Sequence, residues 1–254
     1  MLRYEYKYIV PVEMLDKLRS LVKPFMEPDR HAGPDGGMYT VRSIYFDTDD
    51  LECYYHKLAG VKRRNKVRLR GYNSEEDKNP VFFEIKKKVD EPLFKNRAAT
   101  TFEEAMHILH GGQVDGYISE TAKITKAEAV ANARRFMYHV HARRMRPVVT
   151  VVYVREPYQA ILKDPDNDLR ITFDRDLRAV PNPKLEDLFK EKISHPVNPR
   201  HFILEIKFNR YLPVWLRAIT ASLGLKKGPA SKYVLAVEGC TGIAATARRM
   251  PLTL

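Results

Sequence analysis

The chain has little cysteine, a single tryptophan and no long apolar run, and each shortage removes a class of answers. Cys53 and Cys240 are its only cysteines and lie far apart in the sequence, which excludes a disulfide-stapled scaffold and predicts two reduced thiols. Met1 to Val10 carries Arg3, Glu5 and Lys7, so it does not read as a signal peptide, and no stretch approaches the length of a transmembrane helix. The expected compartment is the cytoplasm. Gly-rich phosphate loops and nucleophile elbows are missing, which speaks against P-loop enzymes and α/β-hydrolases with a serine nucleophile. The eight histidines show no metal-site spacing; His107 and His110 are an i,i+3 pair without a third ligand. Acidic residues are in short supply. There are 44 Lys and Arg against 32 Asp and Glu, a formal charge of +12 that points to polyanionic partners: nucleic acid, an acidic membrane surface or phosphate-rich small molecules. With 44% apolar residues, no low-complexity run and no linker, residues 1–254 read as one globular domain.

What is present is alternation. Lys66 to Val89 reads K-V-R-L-R-G-Y, a polar turn, then V-F-F-E-I-K-K-K-V, with period two in both arms. Lys66, Arg68 and Arg70 share one face, and Glu84, Lys86 and Lys88 share another, so the arms predict an antiparallel hairpin with one charged face. Further strands are predicted over Arg3–Val10, Tyr39–Asp47, Val148–Arg155, Tyr158–Lys163, Leu169–Arg175 and His201–Arg210, with D-P-D-N-D as a turn. Helices are predicted over Val12–Lys23, from a cap at Asp47 or Thr48 to Leu58, Ala99–His110, Lys126–Arg144, Lys184–Ile193 and Pro213–Leu223. A final helix begins after Ser231, a loop spans Pro28–Gly37, and the tail after Gly242 reads as ragged.

The charges on these strands recur as i,i+2 pairs: Glu5 with Lys7, Arg68 with Arg70, Glu84 with Lys86, Glu205 with Lys207. Arg42, Arg155 and Arg170 add basic residues at strand positions. Taken singly, Glu5, Glu84 and Glu205 read as cross-strand partners of Lys and Arg. Lys62, Arg63, Arg64, Lys87 and Arg134 read as a solvated basic surface, and Trp215 and Leu216 as helix core. Taken together, about eight antiparallel strands among helices predict an α+β fold, either a sheet that exposes its charged face or one closed into a barrel flanked by helices and wide enough for a slim ligand. Arg forks and Lys ammonium groups suit phosphate oxygens, and glutamates among them suit Mg²⁺ or Mn²⁺ carried on the phosphates. A nucleic-acid sheet would interleave aromatics on the basic face, and that signal is weak, so no nucleic acid is expected.

At these residues the chain resembles a family. R-Y-E-Y-K-Y, K-V-R-L-R, F-E-I-K, Y-V-R, L-R-I-T-F-D, L-E-I-K and S-K-Y, in that order from Arg3 to Tyr233, are similar to the VTC (vacuolar transporter chaperone) polyphosphate polymerase domain. That domain falls within the CYTH, or triphosphate tunnel metalloenzyme, group. The resemblance implies an antiparallel tunnel of about eight strands that transfers the terminal phosphoryl of ATP onto polyphosphate with Mn²⁺ or Mg²⁺. It implies a catalytic basic lining of Arg68, Arg70, Lys86, Lys207 and Lys232. Substrate contacts fall on Lys7, Arg155, Arg170, Tyr153 and Ser231, and metal-binding carboxylates on Glu205, Glu84 and Glu5. The expected partners are ATP and polyphosphate or triphosphate. Relatives in larger organisms belong to membrane complexes, which suggests peripheral association with a membrane partner protein. Two departures stand out: Arg3 occupies the first position of the wider group's E-x-E-x-K, and Pro229 stands where the family often has a lysine, with Lys226 and Lys227 as substitutes nearby. An inorganic triphosphatase and a polyphosphate-binding module without turnover are the alternatives.

Overall fold

The computed structural model describes residues 3–29, 32, 37–76, 79–88, 93–122, 124–164, 167–191, 193–240 and 242–243. In chain order the strands are β1 (Tyr4–Pro11), β2 (Met26–Pro28), β3 (Tyr39–Asp47), β4 (Arg64–Tyr72), β5 (Val81–Lys88), β6 (Leu93–Thr100), β7 (Arg146–Ala160), β8 (Arg170–Pro181), β9 (His195–Pro196) and β10 (His201–Phe208). The helices among the described residues are α1 (Leu15–Val22), α2 (Glu52–Leu58), α3 (Phe102–Leu109), α4 (Lys126–Ala142), α5 (Val214–Ser222) and α6 (Lys232–Gly239). The result is α+β, with a ten-stranded antiparallel sheet. Its residues gather into two compact units, one of Met1–Thr40, Tyr153–Leu177 and Pro196–Lys232, the other of Val41–Val152, Arg178–His195 and Tyr233–Leu254.

In the first unit the strands run β1-β10-β8-β7, with β2 also on β7. Lys7 faces Glu205 and Glu205 faces Thr172, so Glu5, Lys7, Glu205, Lys207, Arg170, Thr172 and Asp174 project from one side. From the other side Tyr8, Val10, Ile171, Phe173, Leu204 and Ile206 form a core with Leu18 of α1 and Leu216 of α5. In the second unit β4 lies between β3 and β5, with β6 beyond. Val67, Leu69, Phe83 and Ile85 alternate inward and are buried, as are Ala133 and Phe136 of α4. The Phe136 ring lies 4.8 Å from Phe83 and 5.5 Å from Phe46. Asp47 caps α2: its carboxylate accepts from Cys53 N at 2.9 Å and Tyr54 N at 3.0 Å, and from the Tyr233 hydroxyl at 2.6 Å.

Four expectations need correction. First, the strands form an open sheet ending at β1 and β6, not a closed barrel. Each end strand finds a loop instead of a strand: Gly228 N donates to Lys7 O at 3.0 Å on β1, and Ser119 N donates to Ala99 O at 2.9 Å on β6. Second, β7 is one strand of 15 residues that runs through Pro157. The proline sits where β2 takes over as partner, and its carbonyl accepts from Asp29 N at 3.0 Å. Third, the strand β6 runs on to Thr100 before α3 starts. A capping box fixes that start, with Thr101 accepting from Glu104 N while the Glu104 carboxylate accepts from Thr101 N. Fourth, the described residues of 184–193 hold only a 3₁₀ turn, at Leu185–Asp187. Arg42 and Arg178 clamp Glu191 at 2.6 and 2.7 Å, and Phe189 fills the space a side chain at Gly71 would need. Val89, the middle of the D-P-D-N-D turn, most of the 30–36 loop and the tail from 244 lie outside the described residues.

Candidate functional site

The charged face of the second unit is built on cross-strand rows. One row sets Lys66 opposite Lys86 and Lys86 opposite Lys95. The next sets Arg68 opposite Glu84 and Glu84 opposite Arg97. Glu84 is fully buried and is the anchor of the cluster. Arg68 grips it through Nε at 2.8 Å and Nη2 at 2.5 Å, and its Nη1 donates to the Tyr45 hydroxyl at 2.8 Å. Lys95 Nζ lies 2.7 Å and Arg97 Nε 3.2 Å from the other carboxylate oxygen, and that oxygen and Arg97 Nε, both buried, lack a well-directed hydrogen bond. Arg70 donates to Ser43 Oγ at 3.1 Å and stays 3.9 Å from Glu84. Four cations thus surround one carboxylate. Burial pushes the Glu84 carboxyl up, but the charges of Arg68, Arg70, Lys95 and Arg97 outweigh it and hold the group well below the usual carboxylate range. The Tyr72 phenol feels the same field: burial raises it, while Arg70, Arg97 and Lys95 bring it below its ordinary value.

The first unit carries a second constellation, nearer to charge balance. Glu205, 4% exposed, pairs with Lys207, and its other oxygen lies 3.6 Å from both Lys232 Nζ and Arg155 Nη2. Asp174 takes Arg155 at 2.6 and 2.8 Å and Lys232 at 2.6 Å. Burial raises the Glu205 carboxyl, and the charges of Lys207, Lys7, Lys232 and Arg155 more than reverse it, leaving it well below the usual range. The Tyr153 ring lies beneath these cations, 4.8 Å from Lys232 Nζ and 5.3 Å from the Arg155 guanidinium. Lys7 pairs with Glu5 at 2.8 Å. Arg170 stands opposite Lys207 and is drawn to Asp29 and Asp168 at 3.3 and 3.4 Å. Ser231 is buried just ahead of α6.

The family model for the VTC domain matches residues 2–240. The chain belongs to the VTC domain family. No curated protein matches it. Membership ties this VTC domain to polyphosphate, in a family associated with polyphosphate polymerase and transferase activity.

The anticipated residues fall into the two constellations. Arg68, Arg70, Lys86 and Glu84 share the second unit's face, and Lys7, Glu5, Arg155, Arg170, Tyr153, Glu205, Lys207, Ser231 and Lys232 belong to the first unit or its boundary with α6. Sequence reasoning missed Lys95, Arg97 and Asp174. The i,i+2 spacing of Lys95 and Arg97 was a usable signal, but Asn96, Ala98 and Ala99 between and after them are poor strand formers. Asp174 sat in a recognised strand without the arginine it would meet. Arg3 pairs with Asp168 at 3.2 Å, and Lys227 lies over the Tyr6 ring, on the side of β1 opposite Lys7. Among the described residues no three Asp, Glu, His or Cys side chains gather as a metal cage. Glu5 and Glu205 project from adjacent strands on one face, which suits a hard cation that takes its remaining ligands from phosphate and water. Glu84 has both oxygens in close ion pairs, to Arg68 and Lys95, whereas Glu205 has one so held, by Lys207, and its other oxygen stands 3.6 Å from Lys232 and Arg155. Among the described residues no helix is long and apolar enough to cross a membrane.

Proposed function

We propose that this VTC domain is a metal-dependent polyphosphate polymerase that transfers the terminal phosphoryl group of ATP to a polyphosphate chain. The observation that supports it most is the surplus of cations around Glu84, flanked by the Lys66, Lys86, Lys95 row. Like charges opposite one another cost stability, and buried ones more so, unless an anion joins them. A chain of phosphates fits that need along its length.

The chemistry asks for positioning and charge neutralisation rather than a covalent enzyme intermediate. Arg155, Lys207, Lys232 and Lys7 donate to phosphate oxygens, with Asp174 holding Arg155 and Lys232 in register. Arg68, Arg70, Lys95, Arg97 and Lys86 bind polyphosphate oxygens on their own face. The terminal oxygen of a polyphosphate chain attacks the γ-phosphorus of ATP, a new P–O bond forms, the bond between the γ-phosphorus and the bridging oxygen breaks, and ADP leaves. Glu205 and Glu5 would hold Mn²⁺ or Mg²⁺, which would screen the phosphate oxygens.

The second reading is an inorganic triphosphatase, with water as acceptor. Arg3 speaks against it, since the carboxylate of the hydrolytic group's signature is replaced by a cation engaged with Asp168. Titrating tripolyphosphate into the protein by calorimetry tests the shared premise: binding should be tight, salt-sensitive and weakened by Arg70→Ala. Salt-insensitive or absent binding would remove both readings.

A further inference from the structure

One end of the first unit exposes large apolar side chains that its core does not use. Leu162 is 88% exposed beyond the end of β7, next to Ile161 at 46%, and Val214 is 72% exposed at the start of α5. Phe25 joins the two segments. Its carbonyl accepts from Ile161 N at 3.1 Å, and its ring stacks on Trp215 at 4.2 Å with the planes only 8° apart. Phe25, 41% exposed, thus ties the chain after β7 to Trp215, which also packs on the core. Lys23 and Lys163 are exposed neighbours of Phe25 and Leu162, while Glu27 accepts from Gln159 Nε2 at 2.9 Å and Asp164 from the Tyr211 hydroxyl at 2.6 Å. The same unit has a cavity of 440 Å³ whose lining includes Tyr4, Tyr6, Arg210 and, three residues after Val214 on α5, Arg217. The cavity lies on the side of β1 opposite Lys7 and Glu205, so it is separate from the phosphate-binding face.

We propose that this end of the first unit docks on the surface of an anionic lipid bilayer. Protruding aliphatic tips with a stacked Phe and Trp suit the boundary between headgroups and acyl chains. Lys23, Lys163, Arg210 and Arg217 suit the negative headgroups above that boundary. A second copy of the chain is the poorer occupant, because a self-complementary contact would bring these four cations against their own duplicates. Neither Leu162 nor Val214 is among the residues assigned to the transfer reaction.

Trp215 is the only tryptophan, so its fluorescence reports this surface directly. The full chain is mixed with vesicles of phosphatidylcholine, alone or with phosphatidylserine, and scored by co-sedimentation and Trp215 emission. Phosphatidylserine vesicles should pellet the protein and move the emission to shorter wavelength. Replacing both Leu162→Asp and Val214→Asp should abolish the emission shift and most of the pelleting, with the thermal melt and the basal ATP turnover unchanged. Arg217→Ala should weaken binding about fivefold. Pelleting that survives the double replacement with no emission shift would mean charge attraction elsewhere on the +12 chain and would overturn the proposal. So would an unshifted emission together with dimers, seen by sedimentation velocity, that the double replacement dissociates.

Discussion

Arg68 and Arg70 share a face but are unequal probes. Arg68 makes two short bonds to a fully buried carboxylate, so Arg68→Ala should lower the melting temperature as well as the affinity. Arg70 donates to Ser43 and stands 3.9 Å from Glu84, so Arg70→Ala should weaken tripolyphosphate binding by about 1.5–3 kcal/mol, the range for a charge-assisted hydrogen bond, and lower the melting temperature less than Arg68→Ala does. Calorimetry beside a thermal melt separates the two; equal melts for both variants would contradict the assigned role of Glu84. Glu84 also sets a pH dependence. Its native value lies below its unfolded one, so its stabilisation is complete above the ordinary carboxylate range and disappears as pH falls through the depressed native value. The melting advantage of wild type over Glu84→Gln should therefore be constant near neutrality and vanish in acid. A difference independent of pH would mean that the carboxylate is not ionised in the fold. Glu205→Gln should abolish turnover while leaving metal-free polyphosphate binding intact or tighter, since a negative charge leaves an anion site.

At the scale of elements, the cap and the glycine that shape the charged strands are testable without touching the chemistry. Thr101→Ala removes one half of the capping box and should cost about 1 kcal/mol by denaturant unfolding. Gly71→Ala places a methyl 2.7 Å from Phe189 and should be worse, because the ring is wedged between β4 and Phe102. The strands with strong alternation, β1, β3, β4, β5 and β10, were legible because charge and apolar residues change places every residue. β6 was not, since Lys95 to Thr100 has almost no β-branched or aromatic residue and takes its shape from pairing with β5. The unbroken β7 was hidden by Glu156-Pro157, which reads as a stop until β2 is seen beside it. Lys184–Ile193 has helical composition, but side-chain clamps on Glu191 and Phe189 override it.

For the whole molecule, the net charge and the i,i+2 pairs gave the anion-binding reading, and the family match over residues 2–240 agrees with it. Closure was not legible, because alternation fixes which face a residue takes but not whether the end strands meet. The loops at Gly228 and Ser119 occupy the groups such a meeting would use. Nor could sequence separate Glu84, both of whose oxygens sit in close ion pairs, from Glu205, which has only one oxygen so held. The polymerase claim itself rests on where the phosphoryl group goes. Purified protein incubated with ATP and Mn²⁺ or Mg²⁺, its products resolved on a gel stained for polyphosphate, reads that destination directly. The account predicts ADP and a ladder of long chains. Free phosphate without a ladder would contradict it.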